Sequence, residues 1–254
     1  QDELLFLASN DDDSLNRWDA AQQIYTRAIL DEFTNEAGKG ASLDAAVATF
    51  RAALNDKAGD LSLRALNLAV PGFSELGLKL EDGFDPVKLC EALSSVKKAL
   101  AKACTTELKE VYASLYSDAP YDVEAASVGR RRLRNACLAN LARAGGFEQQ
   151  SVKHYEDAQC MTDQLAAAVA LAGEATKERE EVLGKFYESA GNELVVNKWF
   201  ALQASADADD ALATVKKLVA HEAFSRTNPN RYRAVVNTFA GANPRAFHAA
   251  DGSG

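Results

Sequence analysis

Three histidines, His154, His221 and His248, are the side chains best suited to metal or proton-transfer chemistry, and their spacing decides what they can do. A hydrolytic zinc centre of the His-Glu-x-x-His kind needs two imidazoles one helical turn apart, both facing the ion, with the glutamate between them as general base. The one His-Glu pair is His221-Glu222, and it runs on into Ala223, Phe224 and Ser225, so serine stands where the second imidazole is required. The other two histidines are far away in sequence. Nucleophilic chemistry fares no better. No Gly-x-Ser-x-Gly elbow is present, and the nearest approach, Gly252-Ser253-Gly254, has no strand before it, so Asp251 and Ser253 read as turn or cap residues. Neither a phosphate-cradling glycine loop nor a dinucleotide fingerprint follows a recognisable strand. The expected set of catalytic and metal-ligating residues in this chain is therefore none.

Two basic features stand out. Arg130, Arg131, Arg132 and Arg134 fall within one predicted helix, where steps of about 100° spread them around much of the circumference. One reading is a solvated face with intrahelical partners; the other is bidentate pairing with carboxylates across a domain boundary. Arg231 and Arg233 lie in the first turns after Asn228-Pro229, where cations oppose the helix dipole, so a compensating carboxylate or backbone carbonyl is expected. Arg130, Arg134, Asn228 and Arg231 are the candidate inter-domain or channel contacts. Trp18, Trp199 and Phe200 lie on apolar helical stripes and read as core anchors rather than stacking platforms for a ligand.

The elements that must position these residues follow from composition and periodicity. The chain has 254 residues, of which 47% are hydrophobic and 26% charged, enough to bury a large core without metals or disulfides. Its five prolines and fifteen glycines fall mostly between apolar-periodic segments, and alanine, the best helix former, is abundant. A net charge of −9 argues against a nucleic-acid partner, which asks for a basic face. No window of about twenty apolar residues marks a membrane span, and Gln1 to Asn10 lack a signal-peptide pattern. Cys90, Cys104, Cys137 and Cys160 are widely spaced, with no Cys-x-x-Cys. They are expected as reduced, mostly buried thiols, which places the protein in the cytoplasm.

Along the chain, Leu4, Leu5, Phe6 and Leu7 followed by Asn10 to Asp13 read as an extended segment and a polar turn, with residues 1–13 taken as the remnant strand and linker of a preceding β domain. From Ser14 onward the pattern is helical, ended by Gly38 and Gly40. Ser42 is read as capping a helix to about Asn55 and Asp60 the next, while Pro71-Gly72 stops that one before a short segment from Ser74 to Leu80. Asp85-Pro86 opens a long helix to about Tyr116, because Asp accepts from free amides and Pro sits where its missing N–H is harmless. Helices are further expected over Asp122–Ala144, closing at Gly145-Gly146, then Phe147–Ala158, Met161–Ala172, Thr176–Ala190, Glu193–Ala204, Asp209–Ala220 and from Asn228-Pro229 to Ala240. Such helices joined by short connections pack against their neighbours. The expected fold is all-α, an irregular α-α superhelix of antiparallel helix pairs of the HEAT or ARM type, occupying residues 14–254.

Several stretches carry a family resemblance: Ser14-Leu-Asn-Arg-Trp-Asp-Ala-Ala-Gln22, Arg132-Leu-Arg-Asn-Ala-Cys-Leu138, Met161-Thr-Asp-Gln-Leu165 and Asn197-Lys-Trp-Phe-Ala-Leu-Gln203. To these the end adds Ser225-Arg-Thr-Asn-Pro-Asn-Arg231, Phe239-Ala-Gly-Ala-Asn-Pro244, Phe247-His248 and Asp251-Gly-Ser-Gly254. Together they resemble the C-terminal helical domain of the bacterial-type aminopeptidase N family, over essentially Leu15 to Gly254. The resemblance implies a zinc exopeptidase that removes N-terminal residues from peptides, with its zinc and catalytic groups in another part of the parent chain. It implies that this domain holds no cofactor, caps the active-site chamber and restricts access to it. The implied partners are the catalytic and β domains of the same chain and the peptides passing to the active site. Residues 4–9 would be the last strand of the family's β-sandwich domain, and further helices would follow Asp251-Gly-Ser-Gly254. The alternative is a free-standing helical-repeat module that binds a peptide or protein partner.

Overall fold

The computed structural model describes residues 2–34, 39–80 and 83–254, and among them every regular element is helical. They divide into two compact units, Gln1–Phe147 and Glu148–Gly254.

The first unit opens with α1 (Asp2–Asn10) and α2 (Ser14–Thr34). The extended segment expected at residues 4–7 is a helix instead. A short apolar run does not by itself distinguish strand from helix. Here Asp2 and Glu3 lie in the first turn, where the helix dipole favours them, and Asp11 N donates to Leu7 O at 3.1 Å, so the i→i−4 ladder reaches the end of the run. Helix α1 packs on α2 and on α3 (Lys39–Asn55). Gly38 lies outside the described residues. Gly40, expected to terminate a helix, sits in the first turn of α3, and Ser42 is a buried helical residue rather than its cap.

Asp60 does cap α4 (Leu61–Asn67), its Oδ1 accepting from Ser62 N at 2.9 Å and Leu63 N at 3.0 Å. The short α5 (Phe73–Gly77) follows. Asp85 caps α6 (Pro86–Ala103) in the same manner through Val87 N and Lys88 N. The single long helix expected to Tyr116 is broken at Cys104 (φ −117°, ψ 23°), giving α6 and α7 (Thr105–Ser114). Thr105 follows the break, its hydroxyl donating to Ala101 O at 2.9 Å. Helix α8 (Ala125–Ala144) ends at Gly145 and Gly146, whose φ values of 91° and 75° disfavour any residue with a Cβ.

The core of this unit is built from Tyr25, Ile29, Phe50, Leu100, Leu133 and Leu138, all under 2% exposed and each side chain contributing about 1.5–3 kcal/mol by leaving water. Small residues set the helix distances. A Cβ on Gly129 of α8 would lie 3.2 Å from Leu61 Cβ, so α4 and α8 are in close contact. Trp18, expected in the core, is 36% exposed, because its stripe runs to the edge of α2.

The second unit comprises α9 (Glu148–Glu156), α10 (Met161–Ala172), α11 (Lys177–Glu188), α12 (Glu193–Ala204) and α13 (Ala211–Val219), all close to the expected segments. Asn192 caps α12 and Thr176 caps α11 through their side-chain oxygens. The last expected helix is compound: α14 (Pro229–Tyr232), a π-helical turn over Arg233–Asn237 and α15 (Thr238–Ala242). A final turn, α16 (Pro244–Phe247), was not legible from the pattern. Phe186 and Phe200 fill the core, and Trp199, 8% exposed, donates Nε1 to Leu183 O at 2.9 Å, as a core anchor should.

Candidate functional site

The histidines do not assemble. His154 is buried in α9, and His248 is exposed with its ring edge-on to Phe247 at 5.1 Å. His221 lies edge-on to Tyr187 at 5.2 Å and Phe200 at 5.7 Å, and its Nδ1 accepts from Ala223 N at 3.1 Å. That nitrogen is engaged in shaping the turn after α13. Among the described residues no group of three or more His, Cys, Asp or Glu is placed to hold a metal ion. These side chains therefore do not fit a zinc centre.

The Asn228–Arg231 feature turns out to be a loop lock. Asn228 Oδ1 caps α14 by accepting from Asn230 N at 3.0 Å and Arg231 N at 3.2 Å. Arg231 is only 6% exposed; its guanidinium lies over the Phe200 ring at 5.2 Å and Nη1 donates to Ala223 O at 2.8 Å. A backbone carbonyl is thus the compensating partner anticipated for a cation in the first turn, and the contact ties the loop after α13 to α12 and α14.

The four arginines of α8 have separate fates. Arg132 is exposed. Arg131 lies over the Tyr121 ring at 4.8 Å and donates Nη2 to Asp122 O at 2.9 Å, binding the loop before α8 to the helix. Asp122 caps that loop by accepting from Glu124 N at 2.9 Å and Ser127 Oγ at 2.8 Å. The Ser127 bond is the first cause holding its carboxyl below the ordinary range. Arg134 is wedged against two rings, 4.6 Å from Tyr112 and 5.2 Å from Tyr116, and Nη2 reaches Tyr112 Oη at 3.4 Å. Arg130 stands one turn before Arg134 on the same side of α8, half-buried. Of the four named candidates, the structure brings Arg130 and Arg134 together on α8, and separately Asn228 and Arg231. Tyr112, Tyr116 and Tyr121 complete the α8 cluster and escaped notice in the sequence. The signal was the one-turn spacing of Tyr112 and Tyr116, two broad amphipathic rings near the end of a helix.

Other charged groups are engaged within their own unit. Arg64, 8% exposed, donates Nε to Ala53 O at 3.2 Å and Nη2 to Leu54 O at 2.6 Å, satisfying carbonyls at the end of α3. Burial pushes the Cys104 thiol up to about 11 and that of Cys137 up to about 12, which leaves both unreactive.

Residues 1–254 match the family model described as a domain of unknown function (DUF3458_C), ARM repeats. The chain belongs to this family. Aminopeptidase N of Escherichia coli (strain K12) is 37% identical over 258 residues, covering 99% of this DUF3458_C chain and 29% of that protein. Aminopeptidase N of Caulobacter vibrioides is 34% identical over 254 residues, again covering 29% of the relative. Among solved structures, that of Legionella pneumophila aminopeptidase A in complex with aspartic acid superposes with a TM-score of 0.80 at 26% identity, over 98% of this chain and 30% of that one. The DUF3458_C chain thus spans about three-tenths of the length of these relatives. It is an all-helical segment homologous to part of the bacterial aminopeptidases, and its ARM-repeat build agrees with the helix-pair fold expected from periodicity.

Proposed function

We propose that this chain is the non-catalytic, C-terminal helical domain of a zinc aminopeptidase that removes N-terminal residues from peptides, capping the active-site chamber and restricting which substrates enter. The observation that carries this is the pairing of full-length similarity with an absent metal set. The whole chain is 37% identical to less than a third of an aminopeptidase N, while among the described residues no His, Cys, Asp and Glu group is placed to hold zinc. Zinc and the groups that use it belong, on this reading, to the remainder of the longer protein, and no step of the reaction runs through the helices described above. Their task on this reading is steric: the helices wall off the chamber from folded proteins and admit short peptides. Arg130 and Arg134 supply contacts on its surface to other domains or to the passage, while Asn228 and Arg231 hold one loop of the wall in shape. The buried thiols Cys104 and Cys137 suit a reducing compartment, the cytoplasm.

The test compares the 254-residue chain with the full-length product of its reading frame on an alanyl- or leucyl-amide substrate, with and without a chelator. Turnover is expected from the longer protein alone, abolished by the chelator. Chelator-sensitive turnover by the 254-residue chain would sink the assignment, as would a longer product without a His-Glu-x-x-His motif, which would leave the free-standing interaction module in its place.

A further inference from the structure

Arg134 differs from Arg17, Arg51 and Arg64 of the same unit in what it lacks. Arg17 has Asp56 at 3.4 Å, Arg51 has Glu107 at 2.6 Å, and Arg64 has the two carbonyls at the end of α3. The guanidinium of Arg134 instead has two tyrosine rings and one long contact to a phenolic oxygen at 3.4 Å. Its Nε, like that of Arg17, is shut off from water and has no acceptor among the described residues, so the donors left to meet a ligand are those of its two Nη groups. Aromatic faces hold a guanidinium flat and strip its hydration, but they do not satisfy the N–H groups around its edge. A planar donor edge, oriented in advance and partly desolvated, is the arrangement that recognises a carboxylate with two parallel hydrogen bonds.

Arg130 adds a second cation one turn earlier and makes no hydrogen bond or ion pair among the described residues. Asp122, an acid to which it contributes electrostatically, already accepts from Glu124 N and Ser127 Oγ, so it is committed to the loop. The rings of Tyr112 and of exposed Tyr116 flank Arg134, and Tyr116 offers apolar surface to a chain lying across it. Such flanks suit a peptide-borne carboxylate better than a fully hydrated inorganic anion.

We propose that Arg134, assisted by Arg130 and oriented by Tyr112 and Tyr116, is a binding site for a carboxylate carried on a peptide chain, either an acidic side chain or a free C-terminus. The inference goes beyond the peptidase reading and does not depend on it, since binding at α8 involves no turnover.

The experiment is a titration of the 15N-labelled 254-residue chain observed at the Nε–Hε resonance of Arg134, assigned with Arg134→Lys. The probes are acetyl-Ala-Asp-Ala-amide, its Asn counterpart, acetyl-Ala-Ala-Ala with a free C-terminus, its amide, and inorganic phosphate. A saturable downfield shift is expected from the Asp peptide, the free-C-terminus peptide or both, and none from their neutral counterparts. Which of the two acids binds tighter identifies the source of the carboxylate. Arg130→Gln is expected to weaken that binding by about tenfold, the usual scale of one charge-assisted hydrogen bond. Arg134→Lys keeps the charge but loses the fork and is expected to bind no acid saturably. Because the native chain carries the main readout, a variant that fails to fold does not spoil the test. Absence of a saturable shift with either acid would overturn the proposal, as would equal shifts from the neutral peptides or from phosphate.

Discussion

Arg179 and Asp210 meet edge to edge, Nη1 on Oδ1 at 3.0 Å and Nη2 on Oδ2 at 2.5 Å, joining the first turn of α11 to the residue that opens α13. Thr214 Oγ1 also reaches the same carboxylate at 3.3 Å. Because the arginine side chain is only 12% exposed, this pair is better sheltered than the surface ion pairs of α9 and α11. The Arg179 bond is the first cause holding the Asp210 carboxyl below the ordinary carboxylate range.

Asp210→Asn is therefore expected to lower stability by about 1–2 kcal/mol, the value for a charge-assisted bond discounted for the partly exposed acid. The depressed folded-state value sets the sign of the pH dependence. The contribution is complete above the unfolded aspartate value of about 3.9 and lost as pH falls through the lower folded value. Urea unfolding of both proteins at neutral pH and near pH 3 checks this: the gap between them should narrow on acidification. A gap that widens would exclude the pair as its source.

Arg64→Met keeps much of the side-chain volume but leaves the carbonyls of Ala53 and Leu54 without their donors in a buried setting. The expected loss is about 2–3 kcal/mol, since an orphaned buried acceptor forfeits its desolvation free energy as well as the bond. Equilibrium denaturation measures it, and Arg64→Lys, which retains one donor group, should fall between the two.

Gly129 tests the spacing of α4 and α8. Alanine gains helix propensity of up to about 1 kcal/mol, but its Cβ would sit 3.2 Å from Leu61 Cβ and 3.3 Å from Ser62 Oγ. The two effects oppose, so Gly129→Ala should melt close to the native chain. Gly129→Val has no comparable propensity gain and adds more bulk, and it should destabilise by about 1–3 kcal/mol through overpacking. Native-like melting of the valine variant would mean that the two helices separate freely.

Thiol labelling reads the buried cysteines. Cys104 and Cys137 are fully buried, with thiols pushed up to about 11 and about 12, so almost no thiolate exists at neutral pH. A disulfide-exchange reagent is expected to modify the half-buried Cys160 in the native protein and Cys104 and Cys137 only after denaturant is added. Mass mapping of the labelled peptides decides it.

Local chemistry was legible wherever a residue acts on its own backbone. Asp60, Asp85 and Asn228 cap the helices that their positions announce, and Gly145 closes α8 with a positive φ, because a cap needs only its neighbours in the chain. The failure of the zinc motif was equally local, since two ligands on one helix must be four residues apart. Elsewhere periodicity was ambiguous. The Leu4–Leu7 run suits strand or helix until its packing partners α2 and α3 are known, and the periodicity from Asp85 to Tyr116 does not mark the break at Cys104.

The roles of the arginines were set by the tertiary structure alone. Sequence placed Arg64, Arg131, Arg134, Arg179 and Arg231 on helices and left their ends free to swing over several ångströms. Only the packed fold decides that Arg231 meets Phe200 and the Ala223 carbonyl, that Arg179 meets Asp210, and that Arg134 meets two tyrosine rings. A long flexible cation takes whatever acceptor the fold brings within reach, and residues that touch across many positions of sequence leave no periodic trace in it.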